Sequence, residues 1–203
     1  MNQFKERLKS KRSFNKIYEK GKNGEKVYKG SILPQQELNT KYCLVTVSCF
    51  VINKKGEILV EERSHEKKVS PYALDIVSGH IDNNETPTQA MIREYVEELH
   101  SGSEEEKQKA RNEAIEKLQK LEELHLICDG RGYYVQFYCL MTELEAITRQ
   151  KEEVKNVKWF PKEEAFEMIR QGKTGLVYDK KIEKIFEQVR KLYYQENENC
   201  LTR

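Results

Sequence analysis

The chain has 203 residues, and its 36 Lys+Arg against 34 Asp+Glu leave a formal net charge of +2 although 34% of residues are charged. A balance this close to zero argues against a polyelectrolyte tail or a dedicated nucleic-acid module, in which one sign dominates. The most apolar stretch, Tyr42 to Ile52, is interrupted by Thr46 and Ser48 and falls short of the roughly 20 residues a membrane span needs. The N-terminus mixes both charge signs and leads into no hydrophobic signal region, so a cytoplasmic protein is expected. Cysteine usage agrees: Cys43, Cys49, Cys128, Cys139 and Cys200 are odd in number and form no Cys-x-x-Cys pair. Neither a disulfide framework nor a zinc ribbon is indicated, and four of the five fall in or beside strand-like segments as small buried hydrophobes.

Residues 1–40 carry ten Lys/Arg and four Asp/Glu. They read as a basic N-terminal extension, with a helical lead-in ending near Gly21 and then a loop through Gly24, Gly30 and Pro34. From Lys41 the texture changes. Cys43, Val45, Val47, Cys49 and Val51 alternate with Leu44, Thr46, Ser48, Phe50 and Ile52, which predicts a strand buried on both faces. Asn53 to Gly56 is a turn and Glu57 to Glu61 the returning strand of a hairpin. Further on, Leu124 to Cys128 and Tyr133 to Met141 are strands joined through Asp129-Gly130, a favoured hairpin turn. Val157 to Phe160 is a short strand stopped by Pro161, and Lys162 to Arg170 follows as a helix. The last helix, about residues 178–194, places Ile182, Ile185, Phe186 and Val189 at i, i+3, i+4 and i+7. Strands and helices interleave without a regular βαβ rhythm, so a mixed sheet with helices packed on it is expected.

Between these elements lies the chemistry. Asp75 to Glu106 holds nine acidic residues and one basic residue, Arg93, a net of −8 that leaves +10 for the rest of the chain. Within it a helix is well specified: Thr86 can N-cap it, Pro87 suits the first helical position, and Gln89 completes a capping box. At about 100° per residue, Ile92, Val96, Leu99 and Tyr95 define one face, expected to be buried, and Glu94, Glu97 and Glu98 share the opposite one. Three carboxylates within one turn repel each other, and a divalent cation reverses that penalty; hard oxygen ligands of this kind suit Mg²⁺ or Mn²⁺. Spacing alone leaves a metal site and a charged solvent face both open.

The residues ahead of the helix extend the pattern. Gly79-His80-Ile81-Asp82-Asn83-Asn84-Glu85, then seven residues, then Arg93-Glu94-Tyr95-Val96-Glu97-Glu98, resembles the Nudix box, with all six fixed positions at the family's spacing. A looser resemblance runs from about Lys41 to Glu164, including the Asn-x-x-Gly-Glu hairpin and Glu152-Glu153-Val154 to Trp159-Phe160. The box normally ends in Gly and an apolar residue; here His100 and Ser101 stand there. Gly102, two places later, can supply a left-handed cap, and Ser103 with Glu106 opens an inserted helix to about residue 123. Its stripe of Ala114, Ile115, Leu118 and Leu121 is read as a packing face, with a homodimer contact as the alternative. The resemblance implies a Nudix-type α/β/α sandwich with a mixed β-sheet over residues 41–203. It implies metal binding by Glu94, Glu97, Glu98 and the Gly79 carbonyl, with Arg93 orienting the carboxylates and Glu85 holding Arg93 by an ion pair. Either Glu98 or a Glu outside the box would be the general base. The implied reaction is hydrolysis of a diphosphate linkage in a small-molecule nucleoside diphosphate joined to another moiety, with Mg²⁺ or Mn²⁺ and with no membrane or nucleic-acid partner.

His80 admits a second reading. The isopentenyl-diphosphate isomerases, which share the Nudix fold, carry a catalytic Cys and a metal-binding His at this point, whereas Ser78-Gly79-His80 lacks the thiol. A catalytically silent Nudix module that senses a nucleotide is a third. Gln171-Gly172-Lys173-Thr174 suggests a phosphate loop, but its first Gly position holds Glu167 and the motif fails. His65, His100 and His125 lack metal-ligand spacing, and Tyr133, Tyr134, Phe137 and Tyr138 read as strand core, with base stacking as the alternative.

Overall fold

The structure is a computed structural model that describes residues 15–23, 25–32, 39–66, 71–82, 84–128, 130–144 and 147–201. Strand β3 (Tyr42–Ile52) is its axis. On one side β3 pairs in parallel with β8 (Arg131–Met141), register Cys43↔Gly132 to Ile52↔Met141, and β8 pairs antiparallel with β7 (Gln119–Cys128). On the other side two strands meet β3 one after the other: β1 (Asn15–Lys20) at Tyr42 to Leu44 and β6 (Val77–His80) at Thr46 to Cys49. Strand β2 (Lys26–Ile32) pairs outside β1. Strand β4 (Glu57–Arg63) leaves β3 by the expected hairpin, Ile52↔Ile58, with Gly56 at φ +79° in the turn, a conformation that suits glycine. It then pairs with β5 (Leu74–Asp75) and β9 (Val154–Pro161). Among the described residues nine strands thus form one mixed sheet.

The alternation in β3 divides the core between the two faces of this sheet. Cys43, Val45, Val47, Cys49 and Val51 pack with helix α1 (Pro87–Leu99) and helix α2 (Glu104–Lys117). Phe50 and Ile52 pack on the other face with helix α3 (Lys162–Arg170) and helix α4 (Ile182–Leu201). Ile182, Ile185, Phe186 and Val189 are all fully buried there, and the Phe186 ring stacks on Phe166 at 4.1 Å. Each such side chain contributes about 1.5–3 kcal/mol of burial. The result is the expected α/β architecture, a mixed sheet between two helical layers. Cys43, Cys49 and Cys139 are buried and Cys128 is half-buried, and none of these four is in a disulfide.

Three expectations are corrected. The helical lead-in is strand where it is described: β1 and β2 form a hairpin on the sheet edge, and Tyr18 packs against the α1-side core. Residues 1–14, Gly24 and Pro34 lie outside the described residues. The inserted helix stops at Lys117 rather than near 123, because Leu118 turns into extended backbone and β7 begins at Gln119. A register shift between Lys120 and Glu123 brings Leu121 to the sheet face of Leu124 and Leu126, so a leucine whose spacing looked helical packs, partly buried, on a bulged strand. The expected stripe on that helix breaks up accordingly: Ala114 is buried, but Ile115 is 65% exposed. Finally, helix α1 ends at Leu99 with His100 as C-cap at φ −134°, and Gly102 is not left-handed.

Candidate active site

Helix α1 starts as its sequence dictates. The Thr86 hydroxyl accepts the Gln89 N–H at 3.2 Å, and the Gln89 carboxamide accepts the Thr86 N–H at 2.8 Å, with Pro87 at the first helical position. Its orientation differs from expectation. Ile92 is only partly buried, while Ala90, Met91, Tyr95, Val96 and Leu99 are buried together with Glu94 (9% exposed) and Glu98 (1%). Only Glu97 of the three carboxylates opens to solvent. The helix therefore presses its acidic face toward the sheet, beside β6. Gly79 makes this approach feasible, since a Cβ there would lie 2.0 Å from both Cδ and Oε1 of Glu94.

Arg93 ties the acidic residues together. Its Nε and Nη2 donate to Glu85 Oε2 and Oε1 at 3.1 and 2.6 Å, and Nη1 donates to Glu94 Oε1 at 2.7 Å and Glu97 Oε2 at 3.2 Å. Nη2 also donates to the His80 carbonyl at 2.9 Å, and the Asp82 N–H donates to Glu85 Oε1 at 2.8 Å. Loop, box helix and β6 are thus pinned by one planar fork, a geometry lysine cannot reproduce. Burial works against the charge on Arg93, but the bonds and charges of Glu85 and Glu94 hold its pKa well above the usual guanidinium range. Glu85 is also raised by burial, and the Arg93 bond and the Asp82 N–H more than reverse this, leaving it below the ordinary carboxylate value. Glu94 goes the other way: burial pushes it up to about 7, against Arg93 and with Glu97 and Glu153 adding to the rise.

The site extends beyond the residues the sequence singled out. Glu153, in the turn before β9, is close enough for its charge to raise Glu94, and its carbonyl accepts the Ser64 N–H at 2.8 Å. Glu61 on β4 is 1% exposed and, two places from Leu59, shares the sheet face that α1 covers. The sequence signal for it was the alternation Leu59, Glu61, Arg63 itself, a charge at an inward position. Of the histidines, His80 is exposed, His65 lies in an exposed turn, His125 is on β7, and His100 is buried at the helix end. Tyr134, Phe137 and Tyr138 are core residues, as the plain strand reading had it.

A NUDIX domain model matches residues 44–179, most of the chain and all of the site above. The chain belongs to the NUDIX domain family. An uncharacterised Nudix hydrolase of Nostoc sp. (strain PCC 7120) is 39% identical over 54 residues, which are 26% of this chain and 32% of that protein, so the match spans about a third of that relative's length. The fold resembles that of DR0079 from Deinococcus radiodurans, with TM-score 0.59, 22% identity, and coverage of 87% of this chain and 98% of that one. It also resembles the NUDIX domain of Shewanella oneidensis NrtR solved with ADP ribose, with TM-score 0.52, 16% identity, and coverage of 78% and 91%. The Nudix box of this chain therefore forms the loop and helix that Arg93 clamps.

Whether the Nudix box can take a divalent ion is testable on the residues present. Among the described residues no three His, Cys, Asp or Glu side chains converge as an ion-holding group, because Glu94 and Glu97 are turned to Arg93. The donor set still fits. It offers hard carboxylate oxygens and a backbone carbonyl at a glycine that gives Glu94 room, and burial disfavours the Glu94 anion in a way that a nearby divalent charge offsets.

Proposed function

We propose that this Nudix protein is a metal-dependent hydrolase that cleaves a diphosphate linkage in a nucleoside diphosphate joined to another moiety. The observation that carries the reading is the clamp of Arg93 on Glu85, Glu94 and Glu97, with the Glu94 carboxylate held against Gly79. Glu94, Glu97, Glu98 and the Gly79 carbonyl are the ligands for Mg²⁺ or Mn²⁺. Such an ion supplies charge neutralisation of the diphosphate, polarisation of phosphorus and a lower pKa for water. Arg93 keeps the carboxylates in place as substrate binds, with Glu85 fixing the guanidinium plane. Glu98 or Glu153 takes the proton from the attacking water at a carboxylate oxygen. Positioning and charge stabilisation provide most of the rate in such phosphoryl chemistry. The products are a monophosphate and a phosphorylated remainder. We place the protein in the cytoplasm, consistent with four described cysteines outside any disulfide and with no described helix long and apolar enough to cross a membrane.

The test is turnover with Mg²⁺ or Mn²⁺ over a panel of ADP-ribose, dinucleoside polyphosphates, nucleotide sugars, CoA and nucleoside triphosphates, read by phosphate-containing products. Glu97→Gln and Glu98→Gln should each abolish it. Wild-type turnover in both variants overturns the assignment of the metal site. Interconversion of isopentenyl and dimethylallyl diphosphate without phosphate release points to an isomerase instead. Ligand-induced stabilisation with no product points to a sensing module.

A further inference from the structure

Helix α2, inserted between the box helix and β7, is held mainly by polar contacts: its buried residues are Ala110, Ala114 and a carboxylate, Glu113. Glu113 Oε2 accepts the Tyr95 hydroxyl at 3.0 Å and the Thr142 hydroxyl at 2.9 Å, and Oε1 accepts the Glu143 N–H at 2.7 Å. The Thr142 hydroxyl oxygen in turn accepts the Leu144 N–H at 3.0 Å. Lys117, one turn along α2, lies 3.9 Å from Glu113 and bonds to Glu143 at 2.7 Å, which places a compensating charge at the rim. The same helix approaches the end of α1 a second time, where Glu106 Oε1 stands 3.9 Å from His100 Nδ1 and the His100 ring meets Tyr95 edge-on at 4.9 Å.

A leucine would fill this position at lower desolvation cost than an ionised carboxylate. What the carboxylate adds is direction, since one side chain joins α1, α2 and the end of β8 with three hydrogen bonds. Tyr95 is fully buried on α1, and around the helix axis Glu98 and Glu94 lie to the same side of it, about 60° and about 100° away. A roll of α1 that stretched the Tyr95–Glu113 bond would carry both carboxylates in the same sense, taking Glu94 away from its place beside Gly79.

We propose that Glu113 is a positioning residue for the metal-binding carboxylates: through the Tyr95 hydroxyl it fixes the rotation of α1 against the sheet and hence the placement of Glu94 and Glu98. The inference rests on the hydrolase reading above. It gives the inserted helix a task in that reaction.

The experiment measures Mn²⁺ binding to the full-length protein by electron paramagnetic resonance, together with thermal unfolding and turnover on the substrate found in the panel. The variants are Tyr95→Phe, which removes only the hydroxyl, Glu113→Ala, the double variant, Glu113→Gln, and Ile115→Ala as an exposed control on α2. Tyr95→Phe and Glu113→Ala are each expected to weaken Mn²⁺ binding about tenfold and to lower kcat about tenfold, the usual size of effects on partners that orient metal ligands. Substrate KM should move by less than about twofold, because the substrate contacts are untouched. The double variant should be no worse than Glu113→Ala, since both substitutions delete the Tyr95–Glu113 link. Glu113→Gln keeps an acceptor oxygen for the two hydroxyls and should stay within about threefold of wild type. Ile115→Ala should behave as wild type. A merely structural role would lower the unfolding temperature while the folded variants kept wild-type Mn²⁺ affinity and kcat, and that result overturns the inference. Should Glu113→Ala fail to fold, Tyr95→Phe decides alone. Wild-type protein that binds no Mn²⁺ overturns the hydrolase reading and this inference with it. Binding that is lost in Glu98→Gln but unchanged in Tyr95→Phe and Glu113→Ala overturns the inference only.

Discussion

Gly79→Ala should separate stability from function at this site. The new Cβ would lie 2.0 Å from Cδ and Oε1 of Glu94 and 2.5 Å from Cγ, whereas ordinary contact begins at 3.4 Å, so the carboxylate must retreat by about 1.4 Å. The backbone does not resist the change: Gly79 lies within β6 and does not have a positive φ. Because the displaced group is the end of a flexible side chain, the loss of stability should be about 1 kcal/mol, a few degrees in unfolding temperature. The functional loss should be much larger. A misplacement of this size in a reacting constellation costs about a hundredfold in kcat, equivalent to about 2.7 kcal/mol in the barrier. The assay pairs thermal unfolding with turnover on the panel substrate, and Gly132→Ala serves as comparator. Its Cβ would lie 2.5 Å from Cys43 Sγ and 2.9 Å from His125 Nε2, a comparable clash that does not involve Glu94. Gly132→Ala should cost at least as much stability and leave turnover of the folded protein within about threefold. If Gly79→Ala keeps turnover within that range, or Gly132→Ala loses as much as Gly79→Ala, the reasoning from Glu94 placement fails.

Arg93→Met strips the guanidinium from Glu85, Glu94 and Glu97 and should cost about 3 kcal/mol in urea denaturation, as removing one partner of a largely buried ion pair does. Arg93→Lys should recover less than half of that, because an ammonium cannot span the Glu85 fork and Glu94 together; full recovery would mean that only the charge mattered. On the opposite sheet face, Arg170 bonds both oxygens of Glu183 at 2.7 and 2.8 Å, and Glu183 is lowered, with the Arg170 hydrogen bond as the largest cause. A depressed folded value means that this contribution is present above the unfolded carboxylate pKa, about 4.3, and is lost as pH falls through the lower folded one. Glu183→Gln should therefore flatten the acid limb of the stability curve below about pH 4.5 by less than about 1 kcal/mol, the pair being partly solvent-screened; an unchanged limb would refute the assignment. Phe186→Ala empties the stack with Phe166 and should cost about 3–5 kcal/mol by chemical denaturation, while kcat of the folded protein stays near wild type.

The parts of this molecule that were legible in the sequence are those whose signals are local. The Thr86-Pro87-Gln89 capping box, the Gly56 turn, the i, i+3, i+4, i+7 run of α4 and the box itself all act over a few residues, and each stands where it was expected. What was misread depends on distant partners. Asn15 to Lys20 has no strong alternation of its own and becomes a strand because β2 and β3 supply its hydrogen bonds. Leu118 and Leu121 keep a helical spacing, yet Leu121 lies on β7 and packs, partly buried, where that strand pairs with β8 across a bulge. The wheel for α1 was right for Tyr95, Val96 and Leu99 and wrong for two carboxylates, for a related reason: hydrophobicity alone put Glu94 and Glu98 outside, whereas both are buried, Glu94 where a glycine at 79 leaves it room.

The charge count gains a meaning from this. Of the −8 carried by Asp75 to Glu106, its single cation, Arg93, directly bonds Glu85, Glu94 and Glu97. That is one positive charge against three negative ones, and the consequence is visible in Glu94, which stays near 7 even with the guanidinium bonded to it. Arginine lowers Glu85, which sits at the loop and also takes the Asp82 N–H. It does not make up for the burial of Glu94. A site whose own cation leaves the central carboxylate undercompensated is one in which an added divalent charge gains most, and the charge of Glu153, from outside the box, increases that gain.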